Sequence, residues 1–131
     1  MQAMLFAAGL GTRLRPLTDH TPKALVRVDG KPLIDIVIKR LKDCGCKHIV
    51  VNVHHFAQQI INHVADNKWG INVEISDESQ ELLDTGGGLK KAFPLFATES
   101  PVLIHNVDII SNADLQSFYS ENTGNAATLL V

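Results

Sequence analysis

A chain of 131 residues that is 45% hydrophobic and 20% charged has the length of one domain and the composition of a water-soluble globular protein. Its 12 basic and 14 acidic residues give a formal charge of −2, so no overall field favours nucleic acid or a membrane surface, and any anion site must be local. No apolar run approaches the ~18 residues of a membrane span, and the start "MQAMLFAAGLG" lacks the charged leader and length of a signal peptide, which makes the cytoplasm the default compartment.

The segment "QAMLFAA" reads as a buried first strand, and from Gly9 to about Lys31 the chain is loop-like, holding Pro16, Pro22 and "VDGKPL". Pro32 suits the first turn of a helix; Ile34, Val37, Ile38 and Leu41 follow at helical spacing, and Gly45 is a natural stop. "KHIVVNV" is a continuous apolar strand, the pattern of a sheet covered on both faces. "HHFAQQIINHVADNKWG" predicts a second helix with Phe56, Ile60 and Val64 on one stripe, and "INVEIS" alternates as a strand. "DESQELLDTGGG" is expected as a loop, "LKKAFPLF" as a short helix disturbed by Pro94, and "PVLIHNVDII" as a strand running into polar residues. "ADLQSFYSEN" predicts a helix started by Asn112, and "AATLLV" (126–131) another strand.

Strands alternating with helices imply a mostly parallel sheet in a three-layer α/β/α sandwich. No repeat, low-complexity tract or interdomain linker interrupts residues 1–131, and the closing apolar run gives the chain the look of the front part of a larger domain. Cys44 and Cys46 form a C-x-C pair near His48, but no second ligand pair stands at zinc-site spacing, so both read as reduced structural thiols. His54 and His55, at a strand end before a helix, read as local backbone partners rather than acid–base groups.

Chemistry concentrates in "LFAAGLGTRLRPLTDHTPKAL" (5–25), at the carboxyl end of the first strand, where open α/β sheets bind ligands. Gly9 and Gly11 allow backbone N–H groups to approach an anion closely. Arg13 and Arg15 bring forked donors and Lys23 a point charge on a flexible stem, a set that suits a polyphosphate. No G-x-x-x-x-G-K-[ST] run is present, and a G-x-G-x-x-G dinucleotide fingerprint fails at Leu14 and at Pro16.

The whole string resembles the signature of the sugar-1-phosphate nucleotidyltransferases, G-x-G-T-R-[LM]-x-P-L-T followed by P-K, and "VDGKPLI", "VVNVHH" and "DTGGGL" fall where that family has counterparts. The resemblance is closest to the bacterial branch of N-acetylmuramate-1-phosphate uridylyltransferases and mannose-1-phosphate guanylyltransferases. It implies a Rossmann-like fold, of which residues 1–131 form the nucleotide-binding portion. It also implies Mg²⁺-dependent attack of a sugar-1-phosphate on the α-phosphorus of a nucleoside triphosphate, serving nucleotide-sugar and cell-envelope polysaccharide synthesis.

On the same resemblance, Ala8 and Gly9 contact the nucleoside through the backbone while Gly11, Thr12 and Arg13 wrap the triphosphate. Arg13 holds the departing pyrophosphate, and Lys23 bridges the α-phosphate and the sugar phosphate. Arg15 varies in the family and reads equally as solvent-facing. Gly86, Gly87 and Gly88 match a second nucleotide-binding loop, with Glu78 or Ser79 at the base edge. Asp108 matches the first Mg²⁺-binding aspartate, although Val107 stands where a glycine is usual. The family's second metal-binding aspartate and most of its sugar pocket fall outside these residues.

Two other readings stay open: a non-catalytic nucleotide-binding module, and the same fold acting on phosphocholine. Uncovered sheet edges and the apolar "AATLLV" lead to the expectation of a homo-oligomer.

Overall fold

The computed structural model describes residues 1–97, 99–121, 124 and 126–130. In chain order it contains strand β1 (Gln2–Phe6), the short strands β2 (Arg27–Val28) and β3 (Lys31–Pro32), helix α1 (Leu33–Asp43), strand β4 (His48–Val53), helix α2 (Ala57–Asp66), strand β5 (Asn72–Asp77), helix α3 (Asp84–Ala92), strand β6 (Val102–Asn106) and helix α4 (Leu115–Ser120). Single 3₁₀ turns lie at Thr12–Leu14, Lys23–Leu25 and Phe93–Leu95. No helix among the described residues is long and apolar enough to cross a membrane.

Four strands form one parallel sheet in the order β5-β4-β1-β6. From β1 the chain steps outward to β4 and β5, then returns to the opposite side of β1 for β6. Because parallel crossovers share one hand, this reversal puts helices on opposite faces. Ala3, Leu5, Ile49, Val51 and Val53 face α1 and α2 in the larger core, while Met4 and Val50 face Ala92 and Phe96 in a smaller one. Alternate residues of β1 and β4 thus enter different cores, which is why both strands read as continuous apolar runs. The three-layer sandwich expected from the alternation is the architecture found.

Helix α1 ends as Gly45 implies. Gly45 has φ 95°, its N–H donates to Lys42 O at 2.9 Å, and Cys46 N–H donates to Leu41 O at 3.0 Å, the paired bonds of a Schellman stop. Cys44 and Cys46 are free thiols, and burial pushes Cys46 up to about 11, so it is an inert packing group.

Four expectations need correction. Within the supposed loop of residues 9–31, "VDGKP" is a hairpin: β2 and β3 pair antiparallel around Asp29 (φ 49°) and Gly30 (φ 75°), two positive-φ residues as a tight primed turn requires. The loop expected through Gly88 instead turns helical at Asp84, so the glycine triplet lies inside α3. Helix α4 is capped by Asp114, whose carboxylate accepts from Ser117 N–H at 3.0 Å, rather than by Asn112. Residues 126–130 form no strand, and position 131, the last of that expected strand, lies outside the described residues.

Candidate functional site

The strand order reverses at β1 and β6, and the segments leaving these two strands line a cleft of about 1030 Å³. On one side Ala7 and Ala8 are still buried, then Gly9, Leu10 and Gly11 carry the chain outward. Gly11 has φ 67°, and a Cβ there would lie 3.0 Å from Thr18 Cγ2 and 3.2 Å from Lys23 Cβ. Both conformation and space therefore require glycine. The buried Thr18 hydroxyl donates to Gly11 O at 2.8 Å and closes the loop on itself. Pro22 then caps the 3₁₀ turn that presents Lys23.

Lys23 and Asp108, 85 positions apart, meet in this cleft: Lys23 Nζ donates to Asp108 Oδ2 at 2.8 Å. The Lys23 bond, and secondarily the Lys23 and Arg13 charges, hold the Asp108 carboxyl below its ordinary range against the opposing effect of burial. The Val107 side chain packs into the core while its N–H donates to Phe6 O at 3.0 Å. No positive φ is needed at this position, so a β-branched residue is accommodated where glycine was expected.

Ala8, Gly9, Gly11, Thr12, Arg13, Lys23 and Asp108 all line the cleft. Arg15 does not; it is exposed and pairs with Asp19 at 3.5 Å. The opposite wall is Leu82, Asp84 and Thr85 at the start of α3. Gly86 and Gly87, expected to touch the nucleoside, stand one step further inside that helix and are not part of the wall.

Glu78 departs furthest from expectation. It is 1% exposed, and its carboxylate accepts from Asn52 Nδ2 at 2.8 Å and from Leu83 N–H at 3.4 Å, so it is a buried brace rather than a residue at the base edge. Asn52 was missed, although it touches the cleft and accepts from Ala7 N–H at 2.8 Å. A lone amide in the apolar run "HIVVNV" was the available signal, since a buried polar group needs partners. His54 serves the backbone, but not the local one expected: its Nδ1 lies 2.7 Å from Glu78 O. Among the described residues no three His, Cys, Asp or Glu side chains gather as a metal site.

A parallel sheet with a glycine loop and cations at its switch point defines an open α/β protein with an anion-suited cleft where such sheets bind ligands. Residues 2–131 match the family model described as Nucleotidyl transferase, and the chain belongs to that family. It is 49% identical over 111 residues to N-acetylmuramate alpha-1-phosphate uridylyltransferase of Caulobacter vibrioides, covering 82% of this chain and 46% of that protein. It is 41% identical over 120 residues to the protein of the same name from Neisseria meningitidis serogroup B, covering 91% of this chain and 52% of that one. Among solved structures, HddC of Yersinia pseudotuberculosis complexed with GMP-PN superposes with a TM-score of 0.82 at 28% identity, over 93% of this chain and 54% of that chain. The chain thus spans about half the length of the relatives it matches.

Proposed function

We propose that the whole protein transfers a nucleoside monophosphate from a nucleoside triphosphate to a sugar-1-phosphate, with Mg²⁺, releasing pyrophosphate. The observation that supports this best is the meeting of the glycine loop, Arg13, Lys23 and Asp108 in one cleft. An oxygen of the sugar phosphate forms a bond to the α-phosphorus as the α–β bridging bond breaks, and pyrophosphate leaves with that electron pair. Neither bond is made to the protein, so positioning and charge neutralisation carry the rate.

Backbone N–H groups of Gly9 to Thr12 cradle the triphosphate, helped by the absence of Cβ atoms at Gly9 and Gly11. Arg13 neutralises the leaving pyrophosphate, and Lys23 holds the two reacting phosphates together. For Lys23 to do so, its ammonium must exchange Asp108 for phosphate oxygen. Asp108 is a hard oxygen donor at a strand end, and one carboxylate completed by substrate phosphates is an ordinary set for Mg²⁺. A bound Mg²⁺ would neutralise phosphate charge there. It would also take over the carboxylate that Lys23 gives up.

UTP and N-acetylmuramate α-1-phosphate are the first substrate pair to test, because two relatives bearing that name share 49% and 41% identity with this chain. A phosphocholine acceptor is the second reading, supported by 44% identity over 78 residues to a choline-phosphate cytidylyltransferase of Streptococcus pneumoniae. The full-length protein, incubated with Mg²⁺, each common triphosphate and a panel of sugar phosphates and phosphocholine, decides by mass spectrometry of the products. An NDP-sugar supports the first reading, CDP-choline the second, and triphosphate binding without any product would identify a non-catalytic module.

A further inference from the structure

Beneath the cleft, a short polar chain crosses an otherwise apolar region. Ala7 N–H donates to Asn52 Oδ1 at 2.8 Å, Asn52 Nδ2 donates to Glu78 Oε1 at 2.8 Å, and Leu83 N–H donates to Glu78 Oε2 at 3.4 Å. Both side chains are 1% exposed. One end of the chain is the peptide of Ala7, where β1 leads into the glycine loop. The other is the peptide before α3, whose start forms the facing wall of the cleft.

Helix α3 is seated directly on this pair. A Cβ at Gly88 would fall 2.7 Å from Glu78 Oε1 and 3.1 Å from Asn52 Nδ2, so the glycine lets the helix backbone rest on the carboxylate. A buried carboxylate is a costly way to fill space, and an apolar pair of equal volume would stabilise the sheet at least as well. What an apolar pair cannot do is hold two peptide groups at fixed hydrogen-bond distances. Side chains that lock the residues around a site in this way set its geometry.

We propose that Asn52 and Glu78 are positioning residues that set the separation between the glycine loop and the start of α3, and thereby the fit of the nucleoside triphosphate. The inference rests on the nucleotidyl transfer reading and deepens it, since it assigns the width of the nucleotide site to a buried pair of which only Asn52 reaches the cleft.

The test exploits the direction of the central hydrogen bond. In Glu78→Gln the new amide keeps an oxygen for Asn52 and turns an N–H group towards the Leu83 N–H, cutting the link to α3. In Asn52→Asp two carboxylate oxygens face each other, cutting the link between the two side chains. The double variant Asn52→Asp/Glu78→Gln reverses donor and acceptor at the centre, keeps one carboxyl group and one amide in the pair, and leaves an acceptor for both Ala7 N–H and Leu83 N–H. Binding of UTP, GTP, CTP, ATP and dTTP with Mg²⁺ is measured by calorimetry on the full-length protein, alongside the KM for sugar phosphate and the melting temperature.

Each single variant is expected to weaken binding of the preferred triphosphate roughly five- to tenfold with an unchanged sugar-phosphate KM, and the double variant to recover most of the loss. Single variants that melt earlier but bind as the wild type does would overturn the proposal, as would a folded double variant no better than the worse single one. Should both single variants fail to fold, the double variant alone must fold and bind within roughly threefold of wild type, or the proposal falls. A wild-type protein that binds none of the five triphosphates would instead overturn the functional reading, and this inference with it.

Discussion

Gly86 and Gly88 sit two positions apart in one helix and have opposite reasons for being glycine. Nothing lies within 4 Å of a Cβ built on Gly86, whereas one on Gly88 would strike the Glu78 carboxylate. Gly86→Ala should therefore raise stability by about 0.5–1 kcal/mol through helix propensity, and Gly88→Ala should lower it by about 1–3 kcal/mol through overpacking. Urea titrations of both variants check the pair, and equal effects would refute the seating of α3 on Glu78. Asp108 gives a second test at this scale. Lys23 holds the Asp108 carboxyl low, so Lys23→Ala should move its titration upward, readable by NMR. As a group depressed in the folded state, Asp108 contributes stability that is present above the ordinary aspartate range and lost as pH falls through its folded value; that contribution should shrink in Lys23→Ala. At the residue scale, the glycine loop, Arg13 and Lys23 stood out because glycines and cations crowd one strand end. Asp108 entered only through the family resemblance, and the structure brings all of them to one cleft. Glu78 was not legible, since a carboxylate in a polar segment ordinarily faces water and nothing local announces that Asn52, 26 positions earlier, will bury it.

Strand β6 carries one wall of the cleft and also a titratable group. His105 is 8% exposed, and burial lowers its pKa from the usual imidazole range, partly countered by the carbonyl of Asn106. Its folded form therefore binds a proton less readily than its unfolded form. Stability is greatest above the ordinary histidine range and falls as pH drops below it towards the lowered value. Thermal melts from pH 7.5 to 5 should show this decline, and His105→Gln should flatten it; an identical slope in the variant would contradict the assignment. Elements with a strong period were readable in advance: β1, α1, β4, α2, β5 and β6 all form where apolar spacing or continuity put them, except that Phe56, expected on the α2 stripe, precedes the helix in a left-handed conformation (φ 53°). The hairpin of β2 and β3 was hidden because its strands are two residues each, too short for any period, although Asp29-Gly30 is the turn signal it needed. The start of α3 was hidden because three glycines argue against a helix and its packing on Asn52 and Glu78 overrides that propensity, whereas residues 89–92 fall within the short helix expected from "LKKAFPLF".

The whole molecule is a doubly wound sheet whose polar end carries the cleft and whose last strand, β6, forms one edge. Ile104 on β6 is 44% exposed, and among the described residues β6 has a strand partner on one side only, so this edge offers apolar surface; Leu129 and Leu130 are exposed as well. The 131-residue chain by itself is expected to self-associate, and a monodisperse monomer by light scattering would contradict that. At this scale the three-layer architecture followed from the alternation of elements, and the candidate site was sought at the carboxyl end of the first strand, where the structure has its cleft. The central claim is that Lys23, released from Asp108, holds the reacting phosphates. It is tested most directly by the rate of pyrophosphate release from the full-length protein and its Lys23→Ala variant, each with Mg²⁺, its preferred triphosphate and saturating sugar phosphate. A loss of roughly 10²–10³-fold in the variant, with triphosphate binding largely kept, is the predicted result. Release at the wild-type rate in Lys23→Ala would contradict it.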